Sequence, residues 1–342
     1  MSGRVRWGLL VTGAYADVAM RANAGSRTTE FVAVAHDDAA SARAYADRHG
    51  LARAYGTYEE LLADDEVEAV FVAVDPVGHA PAAIRALRAG KHVVVEKPLA
   101  LTAKDADEVF RVAEEAGRLC MEGIFFRHHP RTLLAKRLLG EGVIGELRYL
   151  YAACTANLPP DYFRRHRELG GGGLFDLGAF TLSAIRFFGG SPERVYAEEV
   201  RRDGGADLNF SAQLRLPGDV LAQFEVGQEV CRGDALHVVG TTGRFVLDDP
   251  WFSRDVTHLE LQRQGPPPHA DPVSEYLPVD PEGAYGCGGT YAVSRMQFDD
   301  VSRAVLDGTE PPFGRADAVE QAAVMDALLE SGAHARAVTL GR

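Results

Sequence analysis

Gly90-Lys91-His92-Val93-Val94-Val95-Glu96-Lys97-Pro98 runs through three consecutive valines and breaks off in a charged pair and a proline. The unbroken β-branched run predicts a strand buried on both faces of a parallel sheet. Glu96 and Lys97 then stand at the carboxyl end of that strand, the edge of an open α/β sheet where ligands bind. Pro98 fixes the backbone after the lysine and restricts Lys97 as well. A salt-bridged loop after a strand would look the same locally, so the surrounding sequence has to decide.

On both sides of this stretch, strand and helix patterns alternate. Apolar runs at 5–11, 31–35, 69–74 and 119–123 predict strands. Helical composition fills 17–24, 39–49, 80–89 and 103–117; Thr57 opens a further helix, and Thr102 caps the helix from 103. Such alternation implies a doubly wound parallel sheet with helices on both faces. After about residue 140 the pattern changes. Strand-like runs at 145–156, 194–202, 209–216, 220–230, 235–239 and 243–247 follow one another across short turns such as Leu216-Pro217-Gly218-Asp219. That succession predicts a large, mostly antiparallel open sheet. Residues 264–289, with three successive prolines, read as a long loop, and helices are expected at 290–307 and 315–332. The expected organisation is therefore an α/β domain at 1–125 followed by an α+β domain at 126–342 that includes both C-terminal helices.

The 342 residues suffice for two domains, and 46% hydrophobic content supports a sizeable core. With 36 basic and 49 acidic side chains the net charge is −13, which argues against nucleic acid or an anionic membrane as partner. No apolar run approaches the roughly 18 residues of a membrane span. The N-terminal residues lead straight into a strand without a signal-peptide pattern, so a cytoplasmic location is expected. Cys120, Cys154, Cys231 and Cys287 are widely spaced and are expected as buried thiols; no metal site is expected.

The first strand leads into Val11-Thr12-Gly13-Ala14-Tyr15-Ala16, where a dinucleotide-binding turn would carry G-x-G-x-x-G/A. Gly13 and Ala16 meet the second and third positions, while Val11 holds the first and disfavours a positive φ. Backbone N–H groups of Thr12, Gly13, Ala14 and Tyr15 would face the phosphates at the helix start. The second strand ends at His36-Asp37-Asp38. A carboxylate there accepts from adenosine ribose hydroxyls and repels a 2′-phosphate, so Asp37, beside His36, predicts NAD over NADP. Capping of the next helix is the competing role for Asp37 or Asp38.

With these pieces assembled, the chain resembles the glucose–fructose oxidoreductase/inositol dehydrogenase family of NAD(P)-dependent oxidoreductases. The segments that carry the resemblance are Arg6-Trp7-Gly8-Leu9-Leu10, Asp75-Pro76-Val77-Gly78-His79, residues 90–98, Phe126-Arg127-His128-His129-Pro130, and the glycine-rich run from Gly170 to Gly178. The 90–98 match is the most specific. Its flavour is that of the dihydrodiol and sugar dehydrogenases and the deoxysugar 3-ketoreductases. The resemblance implies a Rossmann domain joined to a substrate-binding sheet domain. It places Lys97 at the family's catalytic lysine and Glu96 opposite the nicotinamide ribose. It brings Asp75, Pro76, His79 and Arg127 to the cofactor, and sets Asp176 in the substrate-site motif with His128 close by. Four residues after Asp176 the family presents a histidine or tyrosine; here Phe180 stands there. A phenyl ring exchanges no proton but can pack on the apolar face of a sugar.

Hydride transfer to or from a carbinol carbon leaves one proton on oxygen to be handled, and a desolvated lysine can serve as the general acid/base. Lys97 is therefore the expected proton-transfer group, and Asp176 would orient it or the substrate; a helix cap is the competing role for Asp176. Of the adjacent His128 and His129, only one is expected to face a cleft. Arg164-Arg165-His166-Arg167 is either a solvated patch or a clamp, led by Arg164, for an anionic group such as the diphosphate of a nucleotide sugar. The expected activity is a dehydrogenase or ketoreductase acting on a sugar-like substrate. Redox-neutral elimination or epimerisation with bound NAD is one alternative, and a catalytically silent cofactor-binding protein is the other. The open sheet face at 145–247 predicts a homo-oligomer.

Overall fold

A computed structural model describes residues 3–11, 16–202, 205–254, 256–265, 271–281, 283 and 292–341. The chain forms two compact units, Met1–Ile124 with Ser294–Ala322, and Phe125–Val293 with Ala323–Arg342.

The first unit begins β1 (Val5–Val11), α1 (Ala16–Asn23), β2 (Thr29–Ala35), α2 (Ala39–His49), β3 (Arg53–Tyr55) and α3 (Tyr58–Leu62). It continues with β4 (Ala69–Ala73), α4 (Pro76–Arg88), β5 (His92–Glu96), α5 (Ala103–Ala116) and β6 (Cys120–Gly123). The six strands lie in the order β3-β2-β1-β4-β5-β6, and every pairing is parallel. Strand periodicity divides the valines of β5 between two cores. Val93 and Val95 join one layer with Leu10, and Val94 joins the opposite layer with Leu9 and Val11. All three valines are fully buried, each contributing about 1.5–3 kcal/mol of apolar burial. Thr57, Thr102 and Asp38 cap α3, α5 and α2 by accepting from the N–H groups of Glu60, Asp105 and Ser41. Helix α4 starts four residues earlier than its alanine run suggests, because Pro76 at its first position is pre-set for helical φ.

The second unit opens with a 3₁₀ turn, Phe125–His128, then α6 (Pro130–Gly140) and β7 (Leu147–Asn157). A π-helical turn, Leu174–Gly178, runs into α7 (Ala179–Gly189). There follow β8 (Arg194–Arg201), β9 (Asp207–Leu216), β10 (Val220–Gly227), β11 (Glu229–Gly240), β12 (Gly243–Asp248), β13 (His258–Arg263) and β14 (Val273–Pro278); β15 (Val338–Thr339) comes from the chain's end. The nine strands are ordered β14-β13-β12-β11-β7-β10-β9-β8-β15, antiparallel except for β7 with β10. Helix α7 packs on β7 and β10, over Leu150, Ala152, Ala222 and Phe224.

Three expectations need correction. Residues 264–289 are not a loop throughout: Val273–Pro278 pairs with β13 as a hairpin. Its side chains are mostly exposed, so it lacks the half-apolar alternation that marks a buried strand. The run 220–230 is two strands, broken at the buried Gln228. The helix expected at 290–307 in the second domain is α8 (Ala292–Asp307), and from Ser294 it belongs to the first unit. Its Phe298 packs edge-on against Trp7, Phe31 and Phe71 at 5.3, 5.3 and 5.1 Å, and the Trp7 indole donates to Ser302 Oγ. Helix α9 (Arg315–His334) starts in the first unit and ends in the second.

Candidate active site

The carboxyl edge of the parallel sheet collects the expected cofactor residues of the first unit. His36 and Asp37 follow β2, Asp75 and Pro76 follow β4, and Glu96 ends β5 beside Lys97. Thr12, Gly13, Ala14 and Tyr15 lie outside the described residues. The ambiguity between Asp37 and Asp38 resolves locally: Asp38 caps α2 through Ser41 N–H (2.7 Å), while Asp37 stays exposed beside the His36 ring. Strand order reverses between β1 and β4, the crevice at which such sheets hold dinucleotides. An exposed carboxylate at the end of β2 supplies the acceptor chemistry that ribose hydroxyls require, so these residues fit a nicotinamide dinucleotide.

Glu96 and Lys97 are both buried, and Lys97 joins Pro98 through a cis peptide. Two side chains hold this turn from behind. The His79 ring sits between backbone carbonyls, Nδ1 2.7 Å from Pro98 O and Nε2 3.0 Å from Val74 O. The buried His79 ring thus bridges the space between the end of β4 and the turn after β5, its N–H donating to one of the two carbonyls. From β6, Glu122 Oε1 accepts the Leu99 N–H at 2.9 Å. Glu122 was missed in the sequence, although it repeats the sign that marked Glu96, a carboxylate at the end of a buried strand.

In the second unit, Asp176 is the centre. Its Oδ1 accepts from the Arg164 guanidinium and its Oδ2 from the Gln228 amide at 2.9 Å. Arg164 and Asp176 side chains are only 12% and 6% exposed, so this is an interior ion pair. Asp176 is therefore not a helix cap; the Leu174 N–H at the start of its turn donates to Asp207 instead. The arginine cluster is not a solvated patch either. Arg165 donates to Leu158 O, and the Arg167 guanidinium lies over the Phe175 ring. Gln228 and Asp207 carried no motif in the sequence.

Arg127 and His128 are buried in the 3₁₀ turn, and His129 caps α6 by accepting from Arg131 N–H. Burial among apolar groups, reinforced by Arg131, pulls the His129 pKa down to about 4, so its ring is neutral. Of the cysteines, Cys120 and Cys154 are buried, Cys231 is exposed against expectation, and Cys287 is outside the described residues.

Phe180 lies one helical turn beyond Asp176, 4% exposed, inside an aromatic cluster. Its ring centroid is 5.3 Å from Phe125, 6.3 Å from Phe126 and 6.0 Å from Trp251, the last nearly parallel. This is a packing environment. Phe180→Tyr is expected to leave turnover within about threefold and to destabilise the fold by about 1 kcal/mol, because a hydroxyl enters an apolar cluster. Steady-state kinetics and a denaturant titration check this; a tenfold gain in activity would show a missing proton donor instead.

The N-terminal 5–124 matches the model of the oxidoreductase family with an NAD-binding Rossmann fold, and 132–246 matches the GFO/IDH/MocA C-terminal domain. The chain belongs to the GFO/IDH/MocA oxidoreductase family. It is 32% identical to the D-xylose 1-dehydrogenase (NADP(+)) 2 of Haloferax volcanii, over 91% of this chain and 92% of that one. It is 34% identical to the dTDP-3,4-didehydro-2,6-dideoxy-alpha-D-glucose 3-reductase of Actinomadura kijaniata, over 88% and 87% of the two chains. A 3-ketoreductase from Actinomadura kijaniata, solved with NADP and TDP-benzene, superposes with a TM-score of 0.84 at 30% identity, covering 96% of this chain and 98% of that one. Fold class, family and enzyme class thus stand as expected: an NAD(P)-binding oxidoreductase with a parallel Rossmann sheet and a mostly antiparallel second sheet. No described helix is long and apolar enough to cross a membrane.

Proposed function

We propose that this oxidoreductase moves hydride between nicotinamide and a hydroxyl or keto carbon of a sugar-like substrate, with Lys97 as proton-transfer group. The observation that carries it is the buried Lys97 at the carboxyl end of β5, on a turn held by His79 and Glu122. The dinucleotide, when bound, supplies the hydride chemistry. His36 and Asp37 would hold its adenosine ribose, and Glu96 the nicotinamide ribose. Lys97 would hold or release the proton on the substrate oxygen. Asp176, fixed by Arg164 and Gln228, would orient substrate hydroxyls; a carboxylate committed on both oxygens suits orientation better than proton exchange. That Arg164 is spent on Asp176 weakens its role as a diphosphate clamp, and neutral sugars are the favoured substrate class. The D-xylose relative supports this choice, whereas the dTDP-sugar relative is named for a nucleotide-linked substrate. A spectrophotometric panel tests it: D-xylose and other aldoses with NAD⁺ or NADP⁺, and keto sugars with the reduced cofactors. Absorbance change with at least one member is expected. Product without net absorbance change would point to redox-neutral chemistry, and no product at all would refute the proposal.

NAD is the proposed cofactor over NADP, although two of the three relatives named above carry NADP in their descriptions. Asp37 presents a carboxylate where a 2′-phosphate would sit. Because Asp37 is exposed, screening limits the penalty to about 1–2 kcal/mol, roughly tenfold in affinity. Fluorescence titration is expected to give tighter binding of NADH; equal or tighter NADPH binding would contradict it.

We further propose a homo-oligomer formed through the open face of the second sheet. Cross-strand neighbours Tyr149 and Leu221, with Tyr151, Tyr196 and Gln213, line that face, and Leu221 is 48% exposed. Sedimentation at micromolar concentration should show a dimer or larger; a lone monomer would remove the proposal.

A further inference from the structure

We propose that Asp207 is a positioning residue for the substrate side of the site: its buried carboxylate locks the glycine turn at 170–173 and so fixes where Asp176 presents its own. The proposal rests on the reading of Asp176 as part of the substrate site. Asp207 is the first residue of β9, distant in sequence from every motif, and is 1% exposed. Its Oδ2 accepts the Leu174 N–H at 2.7 Å, at the start of the π-turn that bears Asp176. Its Oδ1 occupies the space a side chain at Gly172 would need. Gly172 has φ +132°, and a Cβ there would fall 2.2 Å from Oδ1. One carboxylate therefore bonds the turn at Leu174 and lies close against it at Gly172.

The turn transmits that grip in both directions. Gly172 N–H donates to Arg164 O at 2.8 Å, and Asp176 N–H donates to Gly172 O at 2.9 Å. The residue that pairs with Asp176 and the backbone that carries Asp176 are thus both tied to Gly172, which closes on Asp207. Burial pushes the Asp207 pKa up to about 6; Arg167 works against that shift and Glu199 adds to it. A charge-assisted bond to a backbone N–H at a helix start is shorter and stronger than a neutral one, and negative charge is favoured at that end.

The test compares Asp207→Leu, which removes both acceptor oxygens but keeps the branched shape, with Asp207→Asn, which keeps an acceptor for Leu174 N–H. Asp176→Asn serves as the control for the underlying reading. Hydrogen exchange at residues 170–178 is measured on each protein without substrate, and kcat, per NADH-binding site, is measured with the best sugar of the panel above. Asp207→Leu is expected to speed exchange at 170–178 by at least about tenfold and to lower kcat by about tenfold or more. Asp207→Asn should restore both to within about threefold of wild type, and NADH affinity should stay unchanged in both. If Asp207→Leu leaves exchange or kcat at the wild-type level while Asp176→Asn is impaired, the positioning role is wrong. If Asp176→Asn is itself unimpaired, the reading of the substrate side fails, and the exchange result still decides whether Asp207 holds the turn. Should Asp207→Leu not fold, Asp207→Ala, which also removes both acceptor oxygens without adding bulk, takes its place with the same expected outcomes.

Discussion

Lys97→Met is expected to lower turnover by about 10²–10⁴-fold while dinucleotide affinity moves by no more than a small factor. Methionine keeps the length and most of the apolar stem of lysine, so the packing of a buried side chain survives and only the ammonium is lost. The turn itself is held by groups other than Lys97: His79 on Pro98 O at 2.7 Å and Glu122 on Leu99 N–H at 2.9 Å. A structural collapse is therefore not the expected route to inactivity. Stopped-flow kinetics with a parallel NADH titration separates the terms. Retention of most of the activity would remove Lys97 as the proton-transfer group.

Asp176 is expected to give the second large effect. Asp176→Ala takes the carboxylate from a pair that is almost wholly interior, leaving the Arg164 guanidinium and the Gln228 amide without that acceptor. Removing one partner of such a pair destabilises by about 3–5 kcal/mol. Asp176→Asn keeps one carbonyl acceptor and the volume, so it should lose about 1–3 kcal/mol and about 10–100-fold in turnover. Urea titrations and kinetics on both variants check the order. An Asp176→Ala protein as stable as wild type would mean that Arg164 finds another acceptor. An Asp176→Asn protein of full activity would mean that the carboxylate serves packing alone.

The parallel sheet was legible because its strands are buried on both faces, and a run such as Val93-Val94-Val95 has few other uses. Caps were legible for the same local reason: Thr57, Thr102 and Asp38 act within three residues of themselves. What stayed hidden depends on distant partners. Strand β14 is exposed on an edge, so no apolar alternation marks it, and pairing with β13 alone makes it a strand. Helix α8 carries the same amphipathic pattern whichever sheet it covers; that Phe298 meets Trp7 is a matter of chain path. Among the candidate residues, Glu96, Lys97 and Asp176 were visible, and so were His79 and Arg164 beside them, whereas Glu122, Gln228 and Asp207 were not. Gln228 sits in a one-residue break between two strands, and Asp207 at the first position of another. Each acts only because folding brings it against a segment tens of residues away. Arg164 shows the converse error. Residues 164–167 read as either a solvated patch or an anion clamp, and the structure spends the three arginines on an aspartate, a carbonyl and an aromatic ring.

Transfer of deuterium from NADH carrying deuterium at both C4 positions to a keto sugar of the panel tests the central claim most directly. The product alcohol is expected to carry one deuterium on the new carbinol carbon, at a rate that falls by about 10²–10⁴-fold in Lys97→Met. A product without deuterium, or deuterium returned to the cofactor with no net oxidation, would contradict the account.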